Sequence, residues 1–495
     1  MLTLESHVCG TWQAPTGDGV ITRHAVTGEP VATVSSTGID LKAAVAHARD
    51  VGGPTLRSMT FHERAALLKG IGLHLMAEKE SLYELSTATG ATRADSWIDV
   101  EGGAGVLLSY ASKGRRELPD GNVLLDGEPE ILARDGTFLA AHVATPRHGV
   151  AVQINAFNFP IWGMLEKLAP AVLAGVPTIV KPATPTAFLT EAMVRLVVES
   201  SLLPDGALQL ICGNVDGIFD HLDGQDHVAF TGSADTATVL RSHPTLVSRS
   251  VRFNAEADSL NAAILGMAAT PGTAEFDLFT TEVVREMTVK AGQKCTAIRR
   301  ALVPTSQIDA MADALAAALT KVRVGDPADE ATTMGALVGT TQRDEVRGAV
   351  MSLRSATTVV VDACTFHGVD PDVGAFLAPT LLRAIDANAR SIHATEAFGP
   401  VCTLVGYDGP EDAVHLAALG AGSLVASVVT PDVDEAAALT LDIAAHHGRV
   451  HVLNASTAAT STGHGSPLPT LLHGGPGRAG GGEEMGGLRG MRHHM

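Results

Sequence analysis

The chain has 495 residues, more than one ordinary core organises, so two or three domains are expected. A formal net charge of −19 argues against non-specific binding to nucleic acid or to an anionic membrane surface, while leaving small anionic substrates open. The five cysteines, Cys9, Cys212, Cys295, Cys364 and Cys402, form no C-x-x-C pair, so neither a zinc site nor a disulfide framework is expected. The histidines show no metal-ligand spacing. With no basic-then-apolar leader and no continuous apolar run of spanning length, the chain reads as cytoplasmic.

Turn-rich sequence opens the chain, and helical spacing follows at residues 40–51 and 60–89. Residues 122–155 switch to short alternating segments (122–125, 138–143, 150–154), as a β arm that pairs with another subunit would. Between 149 and 266, strands at 150–155, 178–181, 207–211 and 227–231 alternate with helices at 162–173, 186–200, 215–222 and 234–243. That rhythm implies a doubly wound parallel sheet, which binds ligands at the carboxyl ends of its strands. A second α/β series fills 275–454, with helices at 276–291, 308–322, 341–355 and 410–419 and strands at 299–303, 358–361 and 424–429. Residues 463–490 are rich in Gly and Pro, and by composition alone they read as a linker.

The candidate chemistry lies at strand ends. Asn158 follows one strand and precedes a helix. Its amide can donate to a developing oxyanion, or it can simply form the turn before Pro160. Lys181, with Ala183 and Thr184 behind it, ends the next strand, where a lysine reaches a ribose or phosphate or stays in solvent. Gly232 and Ser233 open a helix, and a glycine there lets a phosphate approach the helix N-terminus. Glu256 follows residues 248–253, which alternate like a strand. It reads as a general base with an upward-shifted pKa or as half of an ion pair. Glu396 and Phe398 precede a Gly-Pro turn and suit a ribose and a ring. Glu166 and Lys167 form either a surface pair or a second base. Cys295 follows a Gly-Gln-Lys turn, where Lys294 and backbone amides would favour its thiolate.

In chain order, Asn-Phe-Pro, Lys-Pro, Phe-Thr-Gly-Ser, a Glu, Gly-Gln-x-Cys and Glu-x-Phe-Gly-Pro resemble the aldehyde dehydrogenase superfamily, from about residue 10 to the C-terminus. The resemblance implies a cofactor domain (1–124 and 147–256), a catalytic domain (257–454) and an oligomerisation arm (125–146 and 475–495). It implies Cys295 as nucleophile, Glu256 as general base, and Asn158 with the Cys295 amide as oxyanion hole. Lys181, Ala183, Thr184, Gly232 and Ser233 would hold the dinucleotide, and Glu396 and Phe398 its nicotinamide ribose; no metal is implied. Glu166 and Glu484 stand as auxiliary bases.

The segments Asn155–Pro160, Met164–Pro170, Glu256–Asn261, Lys290–Arg300 and His473–Arg489 further resemble the branch acting on CoA-linked semialdehydes in aerobic aromatic degradation, on the phenylacetate and benzoyl-CoA routes. On that resemblance the tail is a folded loop near the active site. The expected substrate is 3,4-dehydroadipyl-CoA semialdehyde or the phenylacetate-route semialdehyde, and the expected assembly is a homodimer or homotetramer. Ending at Met495 leaves no room for the hydratase domain fused in the phenylacetate protein, so ring opening by hydration is not expected. Ala237 replaces a common second glycine, which would modestly alter approach to the pyrophosphate. Thr184 replaces a glutamate that binds the ribose 2′-hydroxyl, so NADP is favoured over NAD. The rival readings are a CoA-acylating reductase and a catalytically silent binding protein.

Overall fold

The computed structural model describes residues 1–495. Two seven-stranded sheets organise the chain. Across the first, the strands run Arg252–Glu256, His227–Thr231, Ala151–Ile154, Thr178–Lys181 and Leu208–Leu210, all parallel, followed by Ser6–Val8 and Thr11–Gln13 antiparallel. Ala151–Ile154 is the first of the parallel set in the chain and lies between Thr178–Lys181 and His227–Thr231. The winding therefore reverses beside it, and such a switch point opens a crevice at the carboxyl ends.

The second sheet orders Thr357–Val361, Thr380–Ala384, Val401–Tyr407, Arg300–Pro304, Ala262–Leu265, Ser423–Val429 and His447–Leu453. Only the Thr357–Val361 edge is antiparallel. The loops leading into Ala262, Arg300 and Val401 carry Asn261, Cys295 and Phe398. The carboxyl ends of the first sheet thus face the amino ends of the second.

The largest core packs Phe61–Ala77, Arg93–Glu117, Trp162–Ala174 and Ala187–Glu199 against one face of the first sheet. Arg93–Glu117 is the longest helix, and periodicity did not reveal it, because Gly102, Gly103, Gly105 and Gly114 depress helix propensity. Packing explains two of them: a Cβ on Gly103 would stand 3.0 Å from the Trp162 Cα, and one on Gly114 2.7 Å from Leu173. A capping box of Thr92 and Asp95 starts this helix.

Four local expectations are corrected. The helix read over 60–89 breaks at Glu78 into Phe61–Ala77 and Lys79–Ser86. Residues 248–253 are not a strand. Pro244 starts a short helix to Ser248, Ser250 turns at φ 53°, and the strand is Arg252–Glu256, with Glu256 its last residue. The helix expected to reach Ala291 stops at Thr288, because Lys290 and Ala291 turn left-handed. Within 122–146 the pairing is two short ladders, Leu124–Leu125 with Val143–Ala144 and Glu130–Ile131 with Leu139–Ala140.

The glycine-rich tail is folded against the rest of the protein. Met485 and Met491 enter the largest core, and Leu472–His473 pairs with Glu484–Met485. Its glycines are needed for close approach: a Cβ at Gly480 or Gly482 would meet the Ala255 carbonyl at 2.3 or 2.2 Å. No helix is long and apolar enough to cross a membrane.

Candidate active site

Cys295 sits at the end of a loop that three left-handed residues bend into shape: Lys290, Ala291 and Gly292, with φ of 53°, 50° and 68°. Each non-glycine residue in that region costs about 1–2 kcal/mol, so the surroundings must hold it. The Lys290 amide donates to Asp95 at 2.6 Å, and Gln293 bridges the Lys290 carbonyl and the Val338 amide. Arg299 donates to the carbonyls of Gly292, Lys294 and Gly399. Asn261 donates to the Cys295 and Ala297 carbonyls at 2.8 and 2.9 Å. The cysteine is thus fixed by side chains that bind its backbone and leave its sulfur free.

The Asn158 turn is anchored by Asp99, which accepts from the Ile161 and Trp162 amides at 3.1 and 2.7 Å. Asn158 itself is buried and donates one amide hydrogen to the Gln293 carbonyl at 3.0 Å. Its amide therefore lies beside the cysteine loop, with a second N–H still available.

Glu256, Cys295 and His473 place donor atoms within 4.8 Å of one another. His473 Nε2 is 3.1 Å from Glu256 Oε2 and 3.7 Å from Cys295 Sγ. Behind them, Lys167 Nζ lies 2.9 Å from both Glu166 and Glu484, with all three side chains buried. Burial opposes the charge on Glu256, but His473, Lys167 and the Cys295 thiol outweigh it and hold the carboxyl at about 2. The upward shift expected for Glu256 is therefore reversed. Glu166 goes the other way: burial, reinforced by Glu484 and Glu256, raises it well above the carboxylate range despite Lys167. Burial likewise raises Glu484.

Lys294 favours the thiolate but is outweighed. It is buried and bound to Glu286 at 2.7 Å, and burial together with Glu256 and Glu166 lifts the Cys295 thiol well above its ordinary value.

A cleft of about 580 Å³ opens above the sulfur, lined by Asn158, Lys181, Ala183, Gly232, Ser233, Glu256, Cys295, Glu396 and Phe398. Thr184 is absent from it. With Lys181 it lines an adjoining polar cavity containing Asp18, Ser35, Ser36, Thr37 and Asn214. The cleft suits a nicotinamide dinucleotide. Glu396 Oε1, Thr231 Oγ1 and both polar atoms of the Asn155 side chain are buried without a hydrogen-bond partner in the protein, although Arg299 Nε stands 3.6 Å from Glu396 Oε1. A carboxylate oxygen left in that state matches a ribose hydroxyl. Burial, offset in part by Arg299, pushes Glu396 to about 7. Phe157 and Phe398 meet edge to face at 5.8 Å beside it.

The Gly232 turn differs from expectation in two respects. Ala237 turns its methyl into a small core of Phe230, Ala255 and Ala257, so it does not line the cleft. The helix N-terminus is also partly engaged: Ser233 caps Thr236, and Asp258 accepts from Ala234 at 2.9 Å while pairing with Arg478 at 3.2 Å.

Sequence reading missed His473 as a neighbour of the sulfur, Arg478 in the cleft, and Asn261 and Arg299 as supports of the cysteine loop. All four lie within segments whose motifs were noticed, and only the fold gives them these places.

An α/β fold whose switch-point crevice ends on a cysteine, a glutamate and an asparagine defines a class of dinucleotide-dependent enzymes that use a cysteine nucleophile. Residues 12–493 match the sequence profile of the aldehyde dehydrogenase family, and the chain belongs to that family. It is 47% identical over 480 residues to 3,4-dehydroadipyl-CoA semialdehyde dehydrogenase of Aromatoleum evansii, covering 96% of this chain and 93% of that one. Among solved structures, betaine aldehyde dehydrogenase of Staphylococcus aureus in complex with NAD+ superposes with a TM-score of 0.87 at 22% identity, covering 100% of this chain and 93% of the other. An aldehyde dehydrogenase of Mycobacterium tuberculosis complexed with NAD+ gives 0.84 at 24% identity, covering 100% and 97%. At that identity these two speak for the fold.

Proposed function

We propose that this enzyme oxidises a CoA-linked semialdehyde of aromatic degradation, of the 3,4-dehydroadipyl-CoA kind, to its carboxylic acid, with NADP as the preferred cofactor. The observation that carries the reading is the meeting of Cys295, Glu256 and Asn158 at the floor of one cleft. The substrate assignment draws on the 47% identity to the Aromatoleum enzyme.

Cys295 sulfur attacks the aldehyde carbon, and the Asn158 amide with the Cys295 N–H stabilises the oxyanion. Lys181, Gly232 and Ser233 hold the dinucleotide and Glu396 its ribose; when bound, its nicotinamide supplies the hydride acceptor. Glu256, kept as a carboxylate, takes a proton from the water that hydrolyses the Cys295 thioester. Glu166 and Glu484, joined by Lys167, receive that proton in turn and act as auxiliary bases.

For NADP, the support is a lysine with no ion-pair partner beside a threonine, in a cavity that adds hydroxyl and amide groups and one carboxylate, Asp18. The two sheets would form the cofactor domain (1–124 and 147–256) and the catalytic domain (257–454). The arm, 125–146 with 475–495, would join protomers as a homodimer or homotetramer. In support, Leu125, Ile131, Leu132, Phe138, Leu139 and Val143 stand exposed on ladders too short to be stable alone.

The test is Cys295→Ala assayed for NADP reduction with 3,4-dehydroadipyl-CoA semialdehyde, with and without free CoA. Turnover should fall at least about 10³-fold, and wild-type turnover should not need CoA. Substantial activity in the variant would sink the reading.

A further inference from the structure

Two glycines of the Arg93–Glu117 helix, Gly102 and Gly105, are not required by packing. A Cβ on Gly102 would meet only the Trp162 ring, at 3.5 Å, and one on Gly105 nothing within 4 Å. Trp162 is half-buried and, with Phe159 and Gly163, lines a small space at Cys295. None of these three lines the dinucleotide cleft, so the sulfur has a second approach, past Trp162 onto a smooth helix face.

Gly105, Leu108, Ser112 and Arg115 follow one another at three- and four-residue spacing and share that face. They lead into a cavity of about 550 Å³ between this helix and Phe61–Ala77. Alanines and Leu108 give it an apolar floor. Its charged groups are His62, Lys69, Arg115 and Arg116, and no carboxylate lines it. The carboxylates nearby are engaged: Glu63 accepts from the Thr60 amide at 2.7 Å, Glu117 from Lys113 at 2.9 Å, and Asp120 stands 3.4 Å from His62. Arg115 lies 3.2 Å from the His62 ring, and Arg116 donates to the Ser112 hydroxyl. Three exposed cations are thus gathered without a counter-ion in a chain of net charge −19. Such a patch attracts an anion, and arginine forks suit phosphate oxygens.

Length selects the anion. His473 and Trp162 lead from the sulfur to Gly102 in steps of 3.7 and 5.7 Å. From Gly102 to Ser112 the helix rises about 15 Å. The arm joining a CoA sulfur to its first phosphorus spans about 16 Å extended, and a six-carbon acyl chain sets the aldehyde about 7 Å further on.

We propose that this cavity seats the nucleotide end of the CoA-linked substrate. Lys69, Arg115 and Arg116 take its phosphates, the apolar floor takes the adenine, and the pantetheine arm crosses Gly105 and Gly102 to Trp162. The assignment rests on the substrate being a CoA thioester. No bond is made or broken there; the three cations bind and position the substrate.

The experiment is calorimetric titration of the NADP-loaded enzyme with CoA, so that the cofactor cleft is already filled. Wild type is compared with Lys69→Gln, Arg116→Gln and a triple variant that adds Arg115→Gln. Wild type should bind CoA, and 3′-dephospho-CoA more weakly. Each charge removed should weaken CoA about tenfold, as loss of a charge-assisted hydrogen bond implies, with NADP affinity unmoved. Equal CoA affinity in wild type and the triple variant overturns the proposal. Pyrophosphate binding as tightly as CoA also overturns it, because the cavity would then be a general anion patch. Turnover supplies a second readout. With the CoA-linked semialdehyde, kcat/KM should fall in step with affinity. With its N-acetylcysteamine thioester, which lacks the nucleotide, the variants should match wild type, and equal losses on both substrates overturn the proposal. CoA binding that needs the three cations, in an enzyme that leaves the CoA-linked semialdehyde unoxidised, would uphold the cavity and defeat the substrate reading.

Discussion

On its cleft side, Cys295 looks toward polar groups with no hydrogen-bond partner in the protein: Glu396 Oε1, which has only the distant Arg299 charge, Thr231 Oγ1 and the Asn155 amide. On its tail side it looks toward a buried set of charges joined to one another, in which Lys167 meets Glu166 and Glu484 and His473 meets Glu256. The difference separates two jobs. Cluster oxygens such as Glu166 Oε2 also lack hydrogen bonds, but the cleft atoms border an open space of about 580 Å³ where a ligand can complete them, so the cleft is built to receive. Carboxylates gathered around one lysine and one imidazole supply their own counter-charge, so the cluster is built to hold and pass protons.

Removing the cation of the cluster should give the largest effect. Lys167→Met keeps the shape but leaves Glu166 and Glu484 buried without their shared partner. Folding stability should drop by about 3–5 kcal/mol in urea titrations near pH 8. The deficit should shrink with acid. In the variant these carboxyls, already raised by burial, titrate still further above their unfolded value of about 4.3. The native state then binds more protons than the unfolded chain, and stability falls as pH rises. A loss under 1 kcal/mol, or one independent of pH, would show that the lysine does not balance the cluster.

A smaller effect is expected on the receiving side. Thr184→Glu puts a carboxylate next to Lys181, where it binds a ribose 2′-hydroxyl and repels a 2′-phosphate. KM for NADP should rise about tenfold or more, because bringing like charges together costs several kcal/mol. KM for NAD should hold or fall, with kcat little changed. Equal shifts for both cofactors would remove Thr184 from the discrimination.

How much of this was legible follows the same division. The cleft residues lie at strand ends, and strand ends can be read from the alternation of β-branched runs and helices. Asn158, Lys181 and the Gly232 turn were therefore placed correctly from periodicity. The cluster is assembled by distance along the chain: His473 reaches Cys295 across 178 residues, and nothing local announces that contact. The tail's glycines misled in a specific way. Composition reads them as flexible, whereas Gly480 and Gly482 are glycine because the Ala255 carbonyl leaves no room for a Cβ. The direction of the Glu256 shift failed for a related reason. Burial could be anticipated from an Ala-rich strand, but the imidazole and ammonium that reverse its effect come from elsewhere in the fold.

Behind the cluster, His227 and His494 pack with ring centroids 4.8 Å apart, His227 lining the same enclosed space as Glu166, Lys167 and Glu484. Burial first, and then neighbouring His493, Arg252 and Arg147, push His227 down to about 3, and burial lowers His494 as well. An unfolded imidazole titrates near 6.5, so between about pH 6.5 and 3 the unfolded chain binds a proton that native His227 refuses. Its contribution is therefore fully present above pH 6.5 and lost as pH falls through that window. The cluster carboxyls act in the opposite sense, because Glu166 and Glu484 titrate high in the native state and gain from added protons. His227→Asn should therefore flatten the acid limb, losing about 1 kcal/mol less than wild type between pH 7.5 and 5.5 in thermal or urea unfolding. An unchanged acid limb in that variant would assign the pH dependence to groups outside the histidine pair, and the proton-holding character of this side of the protein would then rest on the carboxylates alone.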